Sequence, residues 1–184
     1  LKQQKNSEKP FLLMCQHKAP HRTWMPALRH LQLYNDIEIP EPPTLFDRWK
    51  DNASPARHQE MEIDGHLNIV YDLFGPPVNG GDPNKGKSVY SSGFRNLRKM
   101  TPRQRSAWEA GFAAQNEKLK LDGLKGRAFV RWKYQRYIRN YLRCIKGVDE
   151  SVGRLLDFLK STGLEKNTVV IYSSDQGFYL GDHG

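Results

Sequence analysis

A long run of apolar residues at helical spacing lies between residues 130 and 159. Its members recur every three or four positions: Val130, Tyr134, Tyr137, Tyr141, Ile145, Val148, Val152, Leu155 and Leu159. A stripe of this length predicts one long helix with a single face against a core. The charged residues fall mostly off the stripe, which predicts that they face solvent: Arg131, Arg136, Arg139, Arg143, Lys146, Glu150, Arg154 and Asp157.

The segment after this helix reads as a short loop and then a strand. Gly163 stands where a C-terminal glycine cap is expected. Val169–Tyr172 is a short run of β-branched and aromatic residues, which favours a buried strand. A helix, a short loop and a buried strand make one half of a βαβ unit, so the predicted fold class is α/β.

Asp175, Gln176 and Gly177 follow directly at the end of this predicted strand. Loops at the carboxyl ends of strands line the ligand crevice of α/β sheets. A carboxylate beside an amide supplies two hard oxygen donors, which suit Ca²⁺ or Mg²⁺. The alternative is a tight turn without a ligand, in which Gly177 only lets the backbone reverse. The glycine-rich loop with Asp182 and His183 that follows favours the functional interpretation.

A second apolar run, Pro10–Gln16, predicts another buried strand near the start of the chain. It leads into a loop that holds His17, Lys18, His21 and Arg22. Such a cluster of cationic and neutral donors can bind a tetrahedral oxyanion such as sulfate or phosphate. A solvated basic loop is the alternative.

The middle of the chain is less regular. Short helices are possible at 24–34 and at 44–50, with Thr44 able to cap the second. Residues 51–90 hold one apolar segment, Leu67–Phe74, and the loop-forming run Gly75–Gly86, and predict a lid or a specificity insertion. Thr101 and Pro102 predict a helix start, and this helix runs to about Lys120 before a break at Asp122–Gly123.

Composition narrows the classes of partner. The net charge of +9 favours an anionic partner, with a solvated basic helix face as the alternative. Nucleic acid is disfavoured because the aromatic residues at 131–143 lie on the core stripe, where they cannot stack on bases. No membrane span and no signal peptide is recognisable. Cys15 and Cys144 are expected to be buried thiols and not a disulfide bridge.

Taken together, these pieces resemble the type I sulfatases of the alkaline phosphatase superfamily. The first is the apolar strand followed by Ala19-Pro20-His21, with Pro26 shortly after. The second is the end of the long helix, Val148-Asp149 and Val152–Leu156. The third is Thr168–Gly177 with Gly181-Asp182-His183-Gly184. The match covers residues 9–26 and 138–184, and the stretch between corresponds to the variable part of such enzymes.

The resemblance implies part of an alkaline-phosphatase-like sandwich, with a mostly parallel sheet flanked by helices. It implies a Ca²⁺ site (or Mg²⁺) with Asp175 and Gln176 as ligands, where Gln replaces the usual Asn. His21 would bind the sulfate ester and assist protonation of the leaving group. His17 and Lys18 would lie near the substrate, and His183 would line its pocket. The implied partner is a sulfated carbohydrate, for instance a glycosaminoglycan, together with the remainder of the sulfatase chain.

The sequence also departs from the family pattern. The family's nucleophile is a formylglycine made in a Cys-x-Pro-Ser-Arg motif, and neither Cys15 nor Cys144 has that context. The early paired aspartates of the metal site are absent too. We therefore expect 1–184 to be a partial catalytic domain, with the His loop at 9–26, a variable insertion at 27–100 and the helices and metal loop at 101–184.

Further expectations and two alternatives remain. The isolated segment is expected to be inactive, and the parent protein to be exported to the periplasm or the extracellular space. One alternative is a phosphodiesterase or phosphatase of the same superfamily. The other is a non-catalytic module whose basic loops bind sulfated sugar without a metal.

Overall fold

The chain is organised around two long helices, as seen in a computed structural model that describes residues 9–47, 49, 51–76 and 96–184. A single helical turn, α1 (Ser54–Arg57), precedes α2 (Pro102–Asp122) and α3 (Gly126–Ser161). Two 3₁₀ turns, Leu28–His30 and Leu164–Asn167, flank this arrangement in sequence. With 36 residues, α3 is about 54 Å long and extends along the whole structure.

Both ends of α2 follow the sequence prediction. Thr101 forms a capping box with Gln104, in which each side chain accepts a hydrogen bond from the other residue's backbone N–H. Gly123 ends the helix with φ +55°, a left-handed conformation that glycine adopts without a steric cost. Local sequence therefore sets the position of this helix.

The predicted core stripe of α3 is confirmed. Five of its members are buried: Val130, Tyr134, Tyr137, Val148 and Leu159. The other four are half-buried: Tyr141, Ile145, Val152 and Leu155. Gly163 has φ +75° just beyond the helix end at Thr162, as a glycine cap requires.

Two apolar clusters hold the loops against the helices. The larger one packs the tyrosine face of α3 against loop residues that include Trp24, Leu45 and Leu73. The smaller one packs Trp108 and Phe112 of α2 against residues before it, with Trp108 and Phe74 edge to face at 5.0 Å. The loops before α2 thus form the other side of both cores.

Buried cations on α3 contradict the prediction that its charged residues face solvent. Arg136 and Arg143 are 1% and 0% exposed, and Lys133 is buried beside them. Arg139 is half-buried. Burial lowers the pKa of Arg136 to about 9, with the neighbouring positive charge of Arg143 as a further cause. The prediction failed because helical periodicity assigns a face to each residue but does not show how wide the covered face is.

These cations donate to backbone carbonyls of the loops. The Arg136 Nε atom donates to the Leu73 carbonyl at 2.9 Å, and Arg143 Nε donates to the Leu33 carbonyl at 2.8 Å. The Lys133 ammonium donates to the carbonyls of Ile63 and Asp64. Three further donors of α3 continue the pattern: Arg139 to Ile37, Gln135 to Ile39 and the Tyr134 hydroxyl to Pro40. Because buried carbonyls need donors, α3 does for these irregular segments what a neighbouring strand does in a sheet.

The two predicted strands are wrong for the chain as described. No strand occurs within 9–47, 49, 51–76 and 96–184. Leu12 is 88% exposed in the first run, and Val169 and Ile171 are 88% and 85% exposed in the second. A strand exists only when a second strand completes its hydrogen-bond ladder, and the sequence of one run does not contain that partner.

Smaller expectations are also corrected. Cys15 is exposed, whereas Cys144 is buried as predicted, and both thiols are free. The helix expected at 24–34 is only the 3₁₀ turn at its centre, and the Thr44 hydroxyl donates to Asp182 instead of capping a helix. Most of the Gly75–Gly86 loop lies outside the described residues. No helix in the described part of the chain is long and apolar enough to cross a membrane.

An ion-pair cluster fixes the 3₁₀ turn to α3. Glu150 accepts hydrogen bonds from the guanidinium of Arg29, and its other oxygen lies 2.8 Å from Nε2 of the buried His30. The hydrogen bond from Arg29, followed by the one from His30, lowers the pKa of Glu150 to about 2. The carboxylate is therefore held in its charged form by both partners.

We expect the substitution Arg136→Ala to lower the free energy of unfolding by about 3 kcal/mol, because the Leu73 carbonyl loses its donor and a cavity remains. Urea denaturation followed by circular dichroism measures the change. The control is Arg131→Ala, which removes an exposed ion pair with Glu41 on the same helix and should cost at most about 1 kcal/mol. Equal losses in the two variants would show that burial of Arg136 contributes nothing.

The low pKa of Glu150 predicts a specific pH dependence of stability. Between its ordinary pKa of 4.5 and the folded value of about 2, the folded state binds fewer protons than the unfolded state. Stability contributed by this group is complete above pH 4.5 and falls as the pH falls toward 2. We expect a shallower fall for Glu150→Gln than for the wild type in urea titrations at pH 5 and pH 3. Asp157→Asn, an exposed carboxylate two turns further along α3, should retain the wild-type slope.

Candidate active-site loops

The loop that carries His21 is anchored on both sides of this residue. Trp24 is buried, with its ring 4.4 Å from the Tyr137 ring of α3. Arg22 donates two hydrogen bonds to the buried carboxylate of Asp72, one of them from Nε at 2.7 Å. The hydrogen bond to Asp72 raises the pKa of Arg22. His21 is thus an exposed side chain on a fixed backbone, which is the arrangement that a group acting on a ligand needs.

The other predicted residues of this loop have different surroundings. The His21 ring faces the Arg22 carbonyl through Nδ1, and its backbone N–H donates to the Lys18 carbonyl at 2.9 Å. The Lys18 side chain is exposed. The His17 Nε2 atom lies 2.9 Å from the hydroxyl of Ser151 on α3, which holds this histidine against the helix.

The loop that carries Asp175 and Gln176 meets the His21 loop through Phe178. The Phe178 ring lies 5.5 Å from the Trp24 ring and 6.2 Å from the Tyr141 ring. Asp175 and Gln176 are both exposed, and the Ser174 hydroxyl donates to the Gln176 carbonyl at 2.6 Å. One aromatic cluster therefore brings together the two segments that the sequence singled out.

The residues of this loop fit a divalent cation in kind but are few in number. Asp175 offers a carboxylate and Gln176 an amide oxygen, which are the oxygen donors that Ca²⁺ and Mg²⁺ bind. Within the described part of the chain, no three His, Cys, Asp or Glu side chains are grouped to hold a metal ion. Because Ca²⁺ takes six to eight oxygen ligands, any further ligands must come from outside these groups.

His183 lies in a turn that is held by Thr44, Asp47 and Trp49. Its Nδ1 atom is 2.9 Å from an oxygen of Asp47, and the Trp49 ring lies 4.5 Å from the imidazole. The Thr44 hydroxyl accepts a hydrogen bond from the His183 N–H at 3.0 Å and donates to Asp182 at 2.8 Å. The imidazole is therefore fixed in position, with 39% of the side chain exposed.

The loops that carry the predicted site residues contact α3 at different points along its length. His17 contacts the helix at Ser151, and Phe178 contacts it at Tyr141. His183 shares a cleft with Val130 near the start of the helix. From Val130 to Ser151 is about 30 Å along the axis, so one ligand cannot touch both histidines. The structure brings the His21 and Asp175 loops together and leaves His17 and His183 at opposite ends.

The sequence analysis missed the partners of these residues. Asp72 stands inside the apolar segment Leu67–Phe74, and a carboxylate in such a run needs a cation when it is buried. That signal was present, but it does not identify Arg22. No local pattern pointed to Asp47 or Trp49 as partners of His183.

Comparison with known proteins identifies the family. The sequence model of the family described as Sulfatase matches residues 1–184. The match spans the whole chain, and the chain belongs to the sulfatase family.

Individual relatives agree with this assignment. An N-acetylglucosamine-6-O-sulfatase from Bacteroides thetaiotaomicron is 39% identical over 98% of this chain and 32% of its own length. The human iduronate 2-sulfatase is 40% identical over 28% of this chain and 10% of its own length. The chain thus spans about a third of the length of the first of these relatives.

A solved structure shares the fold of the chain. It is a protein in complex with its substrate D-glucosamine-2-N,6-O-disulfate, and it superposes with a TM-score of 0.79 at 38% identity. The match covers 91% of this chain and 33% of that protein. The fold is therefore that of the corresponding part of a sulfatase.

We expect Thr44→Val to release the turn that holds His183, because the variant loses the hydroxyl that bonds both Asp182 and the His183 N–H. Hydrogen exchange of the His183 amide should accelerate about tenfold, which corresponds to about 1.4 kcal/mol of local stability. The control Thr44→Ser keeps the hydroxyl and should retain most of the protection. Unchanged exchange in the valine variant would contradict the role given to Thr44.

Proposed function

We propose that residues 1–184 form part of the catalytic domain of a sulfatase that hydrolyses sulfate esters of a glycan. The observation that carries the proposal is the contact between Trp24 and Phe178, which joins the His21 loop to the Asp175 loop in a chain of the sulfatase family. Two segments more than 150 residues apart in sequence thereby supply a general acid and oxygen ligands to one region.

Each residue has a role in this proposal. Asp175 and Gln176 would hold a divalent cation, Ca²⁺ or Mg²⁺, which would supply positive charge to stabilise the sulfuryl oxygens. His21 donates a hydrogen bond to the oxygen that leaves with the sugar and delivers its proton. Lys18 and His17 extend the positive surface of the same loop.

The nucleophile lies outside this segment. Cys144 is buried, and burial raises the pKa of its thiol to about 12, so the reactive thiolate is suppressed. Cys15 is exposed but lacks the sequence context of formylglycine formation. We therefore assign the formylglycine and the remaining metal ligands to the rest of a sulfatase of family length, and we expect the isolated segment to release no sulfate.

The part of such a sulfatase that lies outside residues 1–184 would also complete the sheet of an α/β sandwich. Pro10–Gln16 and Val169–Tyr172 lie outside the helices and expose β-branched and apolar side chains, as interior strands would without their neighbours. With those neighbours present, the first run would place the His21 loop, and the second the Asp175 loop, at the edge of one mostly parallel sheet. That is where ligands bind in such folds.

Sulfated glycans, glycosaminoglycans among them, are the proposed substrate class. Support comes from the relative described as an N-acetylglucosamine-6-O-sulfatase and from the solved structure with a disulfated glucosamine. The net charge of +9 agrees with an anionic substrate. We further propose that the protein is exported to the periplasm or the extracellular space, where such glycans occur.

The acid role of His21 predicts a dependence on the leaving group. In a sulfatase of family length that contains these residues, His21→Ala should lower kcat about a hundredfold or more for a sugar 6-sulfate, whose alkoxide needs a proton. The loss should be much smaller for nitrophenyl sulfate, whose leaving group is stable without one.

The control for this experiment is His17→Ala, which removes a histidine of the same loop that is bonded to Ser151. It should change kcat less than about threefold for both substrates, since general acid catalysis is not affected. If His21→Ala reduces the two rates equally, His21 does not act as the acid. Measurable sulfate release by the isolated 184-residue chain would contradict the assignment of the nucleophile.

A further inference from the structure

A cleft of about 740 Å³ is lined by Phe46, Asp47, Trp49, Asp51 and Asn52 on one side and by the start of α3 on the other, at the end of the helix where His183 is held. Its volume falls in the range of pockets that bind small ligands, roughly 300–1,000 Å³. None of the roles assigned to His21, Asp175 or Gln176 involves this cleft.

Aromatic rings form part of the wall of the cleft. The Trp49 ring packs at 4.5 Å against the His183 imidazole, and Phe46 lies beside it under the guanidinium of Arg127 at 4.9 Å. Trp49 and His183 have φ values of +56° and +60°. Non-glycine residues in this region are strained, and such strain concentrates at binding and catalytic sites.

Among the described residues that line the cleft, hydrogen-bond acceptors stand beside one cation, Arg127, whose guanidinium lies over the Phe46 ring. Asp51 and Asn52 are exposed at its rim, and Asp47 and Asp64 contribute two more carboxylates. Asp47 is already bonded to His183. Carboxylates repel a sulfate group but accept hydrogen bonds from hydroxyl groups, and an aromatic wall offers an apolar surface to the face of a sugar ring.

The cleft is separate from the region of the His21 and Asp175 loops. It includes Val130 of α3, whereas Phe178 packs on Tyr141, eleven residues further along the helix. That is about 16 Å along the axis, farther than one sugar ring extends. A ring in the cleft would therefore belong to the same glycan chain as the ring that carries the scissile sulfate, but would not be directly adjacent to it.

We propose that this cleft is a distal subsite that binds an unsulfated, hydroxyl-bearing ring of the glycan. The inference rests on the proposed function and extends it, because it makes the substrate an oligosaccharide. The Trp49 ring provides the stacking surface, and Asp51 and Asn52 accept hydrogen bonds from the ring hydroxyls.

Calorimetric titration of a sulfatase of family length that contains these residues, in a His21→Ala background that slows hydrolysis, tests the subsite directly. The probes are D-glucosamine-2-N,6-O-disulfate and a tetrasaccharide that carries this residue at one end and no other sulfate. We expect the tetrasaccharide to bind at least fivefold more tightly than the monosaccharide. Trp49→Ala and Asp51→Ala should each remove about fivefold of tetrasaccharide affinity and leave monosaccharide affinity unchanged. Trp49→Phe, which keeps an aromatic ring, should retain most of the affinity for the tetrasaccharide.

The control for charge is Asp36→Ala, an exposed carboxylate distant in sequence from the cleft residues, which should have no effect. Circular dichroism establishes that each variant is folded, and the surface variant Asp51→Ala tests the inference if Trp49→Ala does not fold. Equal affinity for the two probes, or unchanged tetrasaccharide binding in both cleft variants, overturns the subsite. Failure of the sulfatase of family length to release sulfate from either probe overturns the proposed function and leaves the binding result intact.

Discussion

The hydrogen bonds from the buried cations of α3 to the carbonyls of the preceding loops are the constraint on which the structure depends. Lys133, Arg136 and Arg143 lie on the covered side of the helix, and their donors reach carbonyls at 33, 63, 64 and 73. Turns in the described parts of 27–76 pair many of the backbone carbonyls, such as those of Ala27, His30 and Asn68, and the cations of α3 bond others. Without these donors the apolar clusters could form only by burying unpaired carbonyl groups.

The same helix sets the geometry of the candidate site. Tyr137 and Tyr141 fix Trp24 and Phe178, and through them the two loops with His21 and Asp175. The start of the helix borders the cleft with His183 and Trp49. The proposed catalytic loops and the proposed distal subsite therefore lie at two positions along one helix, about three turns apart.

The sequence allowed prediction of those features that depend on neighbouring residues in the chain. The capping box at Thr101, the glycine ends at Gly123 and Gly163 and the apolar stripe of α3 are all local patterns. The strand predictions failed because the partner strands are not local in sequence. The burial of Arg136 was not predicted because the backbone carbonyl that accepts its hydrogen bond cannot be recognised from the sequence. The candidate site residues follow from family resemblance and stay predictions, whereas the separation of His183 from His21 is seen only in the fold.

The use of carbonyls as acceptors has a consequence for divergence. Every amino acid carries the same backbone carbonyl, so these hydrogen bonds need no particular side chain at positions 33, 63, 64 and 73. The apolar contacts of Leu45 and Leu73 and the bond between Asp47 and His183 do depend on side chains. Exposed loop positions that make neither kind of contact are therefore the ones at which the sequence can diverge at little cost to stability.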